Sequence, residues 1–396
     1  MKRVKADTAG EWQTLPLGDV FKPNRPRVSP SEKPELPFIG MEHVEAHTMK
    51  LLGTVPAQTM KSSSVHFQPG DVLYGRLRPY LNKVYRPDCE GLCSAEFIVF
   101  PTTEGVDGKY LQYFLNSNDF VTFATHLNEG DRPRVDFKQI APYPFPLPPL
   151  PQQRRIVEAI ELQLGRLDAA VARLQGAKAR LKRYKQAVLK AAVEGGDWDT
   201  VPLRELIQEG RKIAYGVLKP GPHVVDGVRF IKSGQVRDGE MDLTEDYRIS
   251  KALDQEFHRT RLQGGEVLLN LVGASIGRSA VAPDELKGAN VTRAIAVIPV
   301  LREKARWVQL VLNTPYGQEH MLGKTGGNAQ PVLNLAVVKD IPIPLPAEKE
   351  MEEVVTRTRE QLFATSEMEA TLDAQLQQAV RLRQAVLKRA FEGRLG

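Results

Sequence analysis

Two stretches of the chain carry acidic residues close to a lysine, a composition that could bind a divalent cation and activate water. Pro87-Asp88 followed by Asp107-Gly108-Lys109 aligns with a loose proline-aspartate, acid-x-lysine pattern of metal-dependent nucleases. That chemistry needs its second acid on a rigid strand, whereas TEGVDGK around Asp107 reads as a turn. The second stretch, Pro283-Asp284-Glu285-Leu286-Lys287, is too compressed to place two carboxylates on separate elements. His43 and His47 stand four residues apart, which would suit zinc on a helix, but they follow a strand-like FIGM and read as surface histidines. Cys89 and Cys93 have no second pair to close a tetrahedral site. Gly273 and Gly277 lie in VGASIGRS, which lacks the G-x-G-x-x-G spacing of a dinucleotide turn, and no Walker lysine motif occurs.

The elements that would position functional residues are more distinctive than the residues themselves. Between Pro148 and Gly196 lies a long proline-poor run, with proline at its start and glycine at its end as helix boundaries. With Val157 as the first a position, a falls on Val157, Leu164, Val171, Lys178, Lys185 and Ala192, and d on Ile160, Leu167, Leu174, Leu181 and Val188. An apolar residue at every d predicts a coiled-coil seam on a helix roughly 60 Å long. Such a helix needs a partner along its length.

That partner is a repeat of the same stretch. FPLPPLPQQRRIV and QAVLKAAVEG in the first copy match IPLPAEKEMEEVV and QAVLKRAFEG in the second, at an offset of 198 positions. The preceding region is duplicated too. WQTLPLGDV is echoed by WDTVPLREL at offset 186, PFIGMEHV by RFIKSGQV at 192, FQPGDVL by LQGGEVL at 195 and RPRVDFKQI by QPVLNLAVV at 198. The sequence therefore predicts two mixed α+β domains, residues 1–147 and 197–345, alternating with long helices at 148–196 and 346–396. The first domain should be richer in strands than helices, with one helix over KYLQYFLNSNDFVTFAT. In the second long helix Thr358, Thr365, Glu369 and Arg383 interrupt the seam. Polar seam residues cost stability and fix register.

Composition narrows the class. The 396 residues carry a formal charge of +6, and residues 151–196 hold ten basic against four acidic side chains. Arg173, Lys178, Arg180, Lys182, Arg183 and Lys185 form a strip that could face nucleic acid or an acidic partner. Two cysteines, no secretory leader and no long apolar run predict a soluble, cytoplasmic protein without membrane contact.

This layout resembles the specificity subunit of Type I restriction-modification enzymes. The resemblance covers nearly the whole length and rests on the two P-x-P strand exits, the terminations QAVLKAAVEG and QAVLKRAFEG, and the segments RKIAYGVLKPG, FIKSGQVRDGE and GASIGRSAV. It departs from the family where the first helix begins, with Gln152-Gln153 in place of the usual Glu-Gln pair and Glu350-Met351 in the repeat. The resemblance implies two target recognition domains, each reading one half of an asymmetric site in double-stranded DNA. The two long helices would form an antiparallel coiled coil with pseudo-two-fold symmetry, setting the gap between half-sites and docking two modification subunits, and through them restriction subunits. The chain itself would be non-catalytic and hold no cofactor or metal. S-adenosylmethionine, ATP and Mg would belong to the partners, in keeping with the lack of an Asn-Pro-Pro-Tyr-like adenine pocket.

Candidate DNA contacts lie in matching loops. In the first copy Arg76, Arg78, Tyr80, Asn82 and Lys83 cluster beyond a strand, and Arg132 and Arg134 precede the last one. The second copy offers Asn270, Ser275 and Arg278, then Lys324, Asn328 and Gln330. Arginine can read guanine in two-point contact, Asn and Gln can read adenine, and some of these residues would hold only phosphates. A coiled-coil adaptor without a nucleic-acid role would explain the helices but not the divergent loops, and a divalent-metal nuclease remains the catalytic alternative.

Overall fold

The computed structural model describes residues 12–23, 26–128, 130–323 and 332–395. They fall into two compact units, residues 1–175 with 373–396, and residues 176–372. Each unit thus takes one globular domain and a part of both long helices.

The first unit contains β1 (Gln13–Pro16), α1 (Leu17–Val20), β2 (Arg27–Val28), β3 (Pro37–Ile39), β4 (Val55–Pro56), β5 (Ser64–Phe67), β6 (Val72–Gly75), β7 (Val84–Tyr85), β8 (Gly91–Cys93) and β9 (Phe97–Phe100). Then come α2 (Gly108–Asn116), α3 (Asn118–His126), α4 (Phe137–Ile140), β10 (Pro144–Leu147) and the first long helix, α5 (Leu150–Glu194). The strands form sheets of order β2-β5-β8-β3-β4 and β7-β6-β9, with β1 paired to β10. The single helix expected over KYLQYFLNSNDFVTFAT is two. Ser117 breaks it in an extended conformation, and its hydroxyl donates to the Phe114 carbonyl while the chain turns into α3.

The second unit contains β11 (Thr200–Pro202), β12 (Ala214–Tyr215), β13 (Val228–Ile231), β14 (Arg248–Ile249), α6 (Lys251–Glu256), β15 (Val267–Asn270), β16 (Ser279–Val281), β17 (Asn290–Val291) and β18 (Ile295–Ile298). It continues through α7 (Ala305–Asn313), α8 (Pro315–Leu322), α9 (Leu335–Lys339) and β19 (Pro342–Pro344) into the second long helix, α10 (Glu348–Phe391). Register shows the duplication directly. Val72 pairs with Phe100 and Val267 with Ile298; Phe38 lies parallel to Leu92 and Phe230 to Asn290. The Tyr110 hydroxyl donates to the Pro146 carbonyl as the Trp307 indole donates to that of Pro344.

The long helices follow the heptad. In α5 every a and d residue from Val157 to Ala192 is buried or half-buried, including Lys178 and Lys185. In α10 the interrupting residues lie on the seam as well: Thr358 and Thr365 are buried, and Arg383 donates to Asp168 of α5 at 3.0 Å. Within the first unit Ile156, Val157, Ile160 and Leu164 of α5 share a core with Leu387 and Ala390 of α10, and Phe391 stacks edge-on against Tyr110 and Phe114. Arg383 meets α5 further from its start than that core, so the two segments run antiparallel. The second unit mirrors this, with Ala192 and Val193 sharing a core with Met351, Val354 and Val355. A left-handed Gly393 closes α10, where the Arg394 amide donates to the Arg389 carbonyl.

Candidate nucleic-acid interface

In the first domain the backbone brings together the two loops singled out in the sequence, and in the second it joins the same strand end to residues 332–333. The first domain joins residues 76–78 to 133–135. The Arg78 amide donates to the Pro133 carbonyl at 2.7 Å, the Val135 amide to that of Arg76 at 3.0 Å, and Leu77 bridges Arg134. In the second domain the Leu333 amide donates to the Leu271 carbonyl at 2.8 Å, and Val272 bridges Val332. These pairs are equivalent under the sequence offsets of 195 and 198. A strand end and the segment leading into the last helix thus build one surface cluster, twice.

The side chains of that cluster differ in availability. Arg132 and Arg134 are exposed, Tyr80 is 42% exposed, and Arg76 and Arg78 are half-buried. Arg78 has left-handed backbone geometry, and the Nε atoms of Arg76 and Arg78 are buried without a hydrogen-bond partner. Burial first, then the neighbouring Arg134, and more weakly Arg27, lower the Arg76 guanidinium below its ordinary value, while Glu96 works against them. In the second domain Ser275 is half-buried in a tight turn, and Arg278 has its Nε 3.7 Å from Asp238. Gly277 in that turn has a φ of 82°, and a Cβ there would meet the Gln318 side chain, so VGASIGRS is shaped as a turn.

Three of the candidate residues are engaged inside their domains. Asn82 is buried: its side-chain amide donates to the Asn116 carbonyl and accepts from the Asn116 side chain, both at 3.0 Å, which holds it inside the domain. In the second domain Asn313, at the place of Asn116, is bonded to Ser279, at the place of Val84, so the helix end is tied to the neighbouring strand there too. The Lys83 ammonium donates to the Met41 carbonyl at 2.6 Å. Asn270 is fully buried, and its amide holds the Ser233 carbonyl. Lys324, Asn328 and Gln330 lie outside the described residues.

The metal-nuclease pattern comes apart. Asp107 caps α2, accepting from the Lys109 and Tyr110 amides at 2.9 and 3.1 Å, and Lys109 pairs with Glu161. The His43 ring Nδ1 accepts from the Gly40 amide at 3.0 Å and His47 lies in a left-handed turn, so the two are not presented together on a helix. Among the described residues, no group of three or more His, Cys, Asp or Glu is placed to hold a metal ion.

Residues 9–175 match the family model described as the Type I restriction modification DNA specificity domain. That match covers the first domain and the start of its helix, a little over two fifths of the chain. The EcoBI specificity subunit of Escherichia coli is 31% identical over 284 residues, 63% of this chain and 58% of that protein. The chain spans less than two thirds of the length of the curated relatives it matches. Two solved structures share the fold. A chain from work on complex assembly and conformational transition of the type I R-M system has a TM-score of 0.81 at 21% identity, covering 99% of this chain and 100% of that one. The HsdS subunit from Thermoanaerobacter tengcongensis has a TM-score of 0.59 at 22% identity, covering 97% of each.

The first domain is pinned to its helix by a residue noted in the sequence only as a departure. Gln153 is fully buried; its side chain accepts from the Asp107 amide and donates to the carbonyls of Gly105 and Pro148, all at 2.8 Å. Sequence reasoning also missed Arg27, Glu96 and Asp136 beside the candidate arginines. The available signal was comparison at the repeat offset, where Ala294 stands for Glu96 and Asn334 for Asp136.

Proposed function

We propose that this chain is the sequence-specific DNA-binding specificity subunit of a Type I restriction-modification complex. Each globular domain reads one half of a bipartite asymmetric site. The long helices set the gap and dock two modification subunits, through which restriction subunits join. The chain is non-catalytic in this reading. Methyl transfer from S-adenosylmethionine and ATP- and Mg-dependent translocation and cleavage belong to the companions. The complex works on double-stranded DNA in the cytoplasm, and no helix among the described residues is long and apolar enough to cross a membrane.

The observation that carries this reading is the cluster of two loops, repeated on the same backbone bonds with different side chains. One scaffold with two chemistries suits two recognition events of one kind with different targets. Arg76, Arg78, Tyr80, Arg132 and Arg134 in the first domain, and Ser275 and Arg278 in the second, are the candidate contacts that this geometry leaves at least partly exposed. The test is retardation of labelled duplex by the purified complex across a salt series. Binding should weaken steeply as salt rises, because guanidinium-phosphate contacts release counterions; a complex that shifts no duplex at low salt would refute the reading. The chain alone, supplied with cofactor and DNA, should transfer no methyl groups.

A further inference from the structure

Four charged side chains interlock at the surface of the first domain. Arg134 donates to Glu96 at 2.5 Å, and Arg76 is ion-paired to Asp136. Glu96 and Arg76 are only 27% and 24% exposed, whereas Arg134 and Asp136 are more than half exposed. Glu96 Oε2 is buried with no hydrogen-bond partner, as is the Nε of Arg76. Arg27, on the edge strand β2, is exposed and adds positive charge near Arg76.

The second domain shows that these charges are not required by the fold. The Arg76 amide donates to the Glu96 carbonyl at 2.8 Å, and at the same place the Leu271 amide donates to that of Ala294 at 2.8 Å. Leu271, Ala294, Val332 and Asn334 replace Arg76, Glu96, Arg134 and Asp136 on equivalent backbone. Asn334 caps α9 with its side-chain oxygen, so the capping position that Asp136 fills before α4 needs no carboxylate. An acid conserved neither by packing nor by capping is free to act on the arginines beside it.

We infer that Glu96 and Asp136 are specificity-determining residues of the first domain, holding Arg134 and Arg76 as internal counterions until a cognate half-site displaces them. This rests on the reading of the chain as a DNA specificity subunit. Duplex of the wrong sequence would have to compete with the carboxylates for each guanidinium, using phosphate charge alone. A cognate half-site adds base-edge contacts that make the exchange favourable. The acids thus suppress non-specific binding by the arginines they hold.

The test compares the full complex with its Glu96→Gln and Asp136→Asn forms on a short duplex of random sequence. Each variant should bind about twofold to fivefold more tightly. The dependence of log affinity on log salt should steepen by about 0.9 for each arginine released to a phosphate. The double variant Glu96→Gln with Arg134→Gln should lose the gain, which a purely structural effect of Glu96 would not reproduce. Gln and Asn keep shape and capping, and far-ultraviolet circular dichroism checks the fold. Unchanged affinity and slope in both single variants, with wild-type binding intact, would overturn the inference and leave the function standing. Absence of wild-type binding would instead overturn the function on which it rests.

Discussion

Gln153 illustrates how much a single buried amide can hold. Its three hydrogen bonds tie the loop before α2 and the exit from β10 to the first turn of α5. Replacing it with leucine would leave one amide and two carbonyls without their partner. Gln153→Leu should therefore lower stability by roughly 1–3 kcal/mol, read from the urea midpoint of the full chain. The second domain has Met351 at that place, packed in an apolar core, so the same substitution there would be a packing change only. Asn82 and Arg132 separate scaffold from surface. Asn82→Ala breaks two buried bonds with Asn116 and should cost about 1–2 kcal/mol of stability. Arg132→Ala, at an exposed position, should leave the unfolding midpoint unchanged and weaken duplex binding with a shallower salt slope. The arginines could be picked out from sequence because their loops repeat at a fixed offset. Glu96 and Asp136 have no local spacing to mark them, because they act by pairing across the fold, and only comparison at the repeat offset, with Ala294 and Asn334, sets them apart.

The long helices were legible residue by residue, since a 3.5-residue repeat is local and needs no knowledge of tertiary pairing. The sheets were not. Strands of two to four residues show little alternation, and the parallel pairing of β3 with β8 joins segments separated by more than fifty positions. The break between α2 and α3 was hidden for a related reason. Residues 109–125 are apolar enough for one helix, but the buried Asn116 is bonded to Asn82 far away in sequence. The seam offers a test at the scale of the element. Thr365 is 3% exposed and its hydroxyl donates only within its own helix, to Leu362. Thr365→Val removes a polar atom from an apolar seam and should raise stability by about 0.5–1 kcal/mol. Thermal unfolding of the full chain measures this, and a lower midpoint would show the hydroxyl to be fixing register at that level.

At the scale of the whole molecule, the duplication connects fold to function. In the proposed reading, two domains with equivalent backbone bonds and different surface side chains call for two half-sites of different sequence. If the helices set the gap between those half-sites, a further demand follows. Inserting four residues about one turn into each helix lengthens each by roughly 6 Å, and base pairs rise about 3.4 Å. The preferred gap should grow by about one or two base pairs while the bases read in each half stay the same. Both helices must be extended, because lengthening one alone slips its seam against the other. The most direct measurement concerns the partition of recognition itself. Residues 1–147 would be replaced by the corresponding domain of a relative with a different target, and methylated adenines mapped in cells that also make the companion subunits. The account predicts that one half of the methylated site changes to the relative's sequence while the other half and the gap are preserved. Simultaneous change of both halves, or of neither, would contradict it.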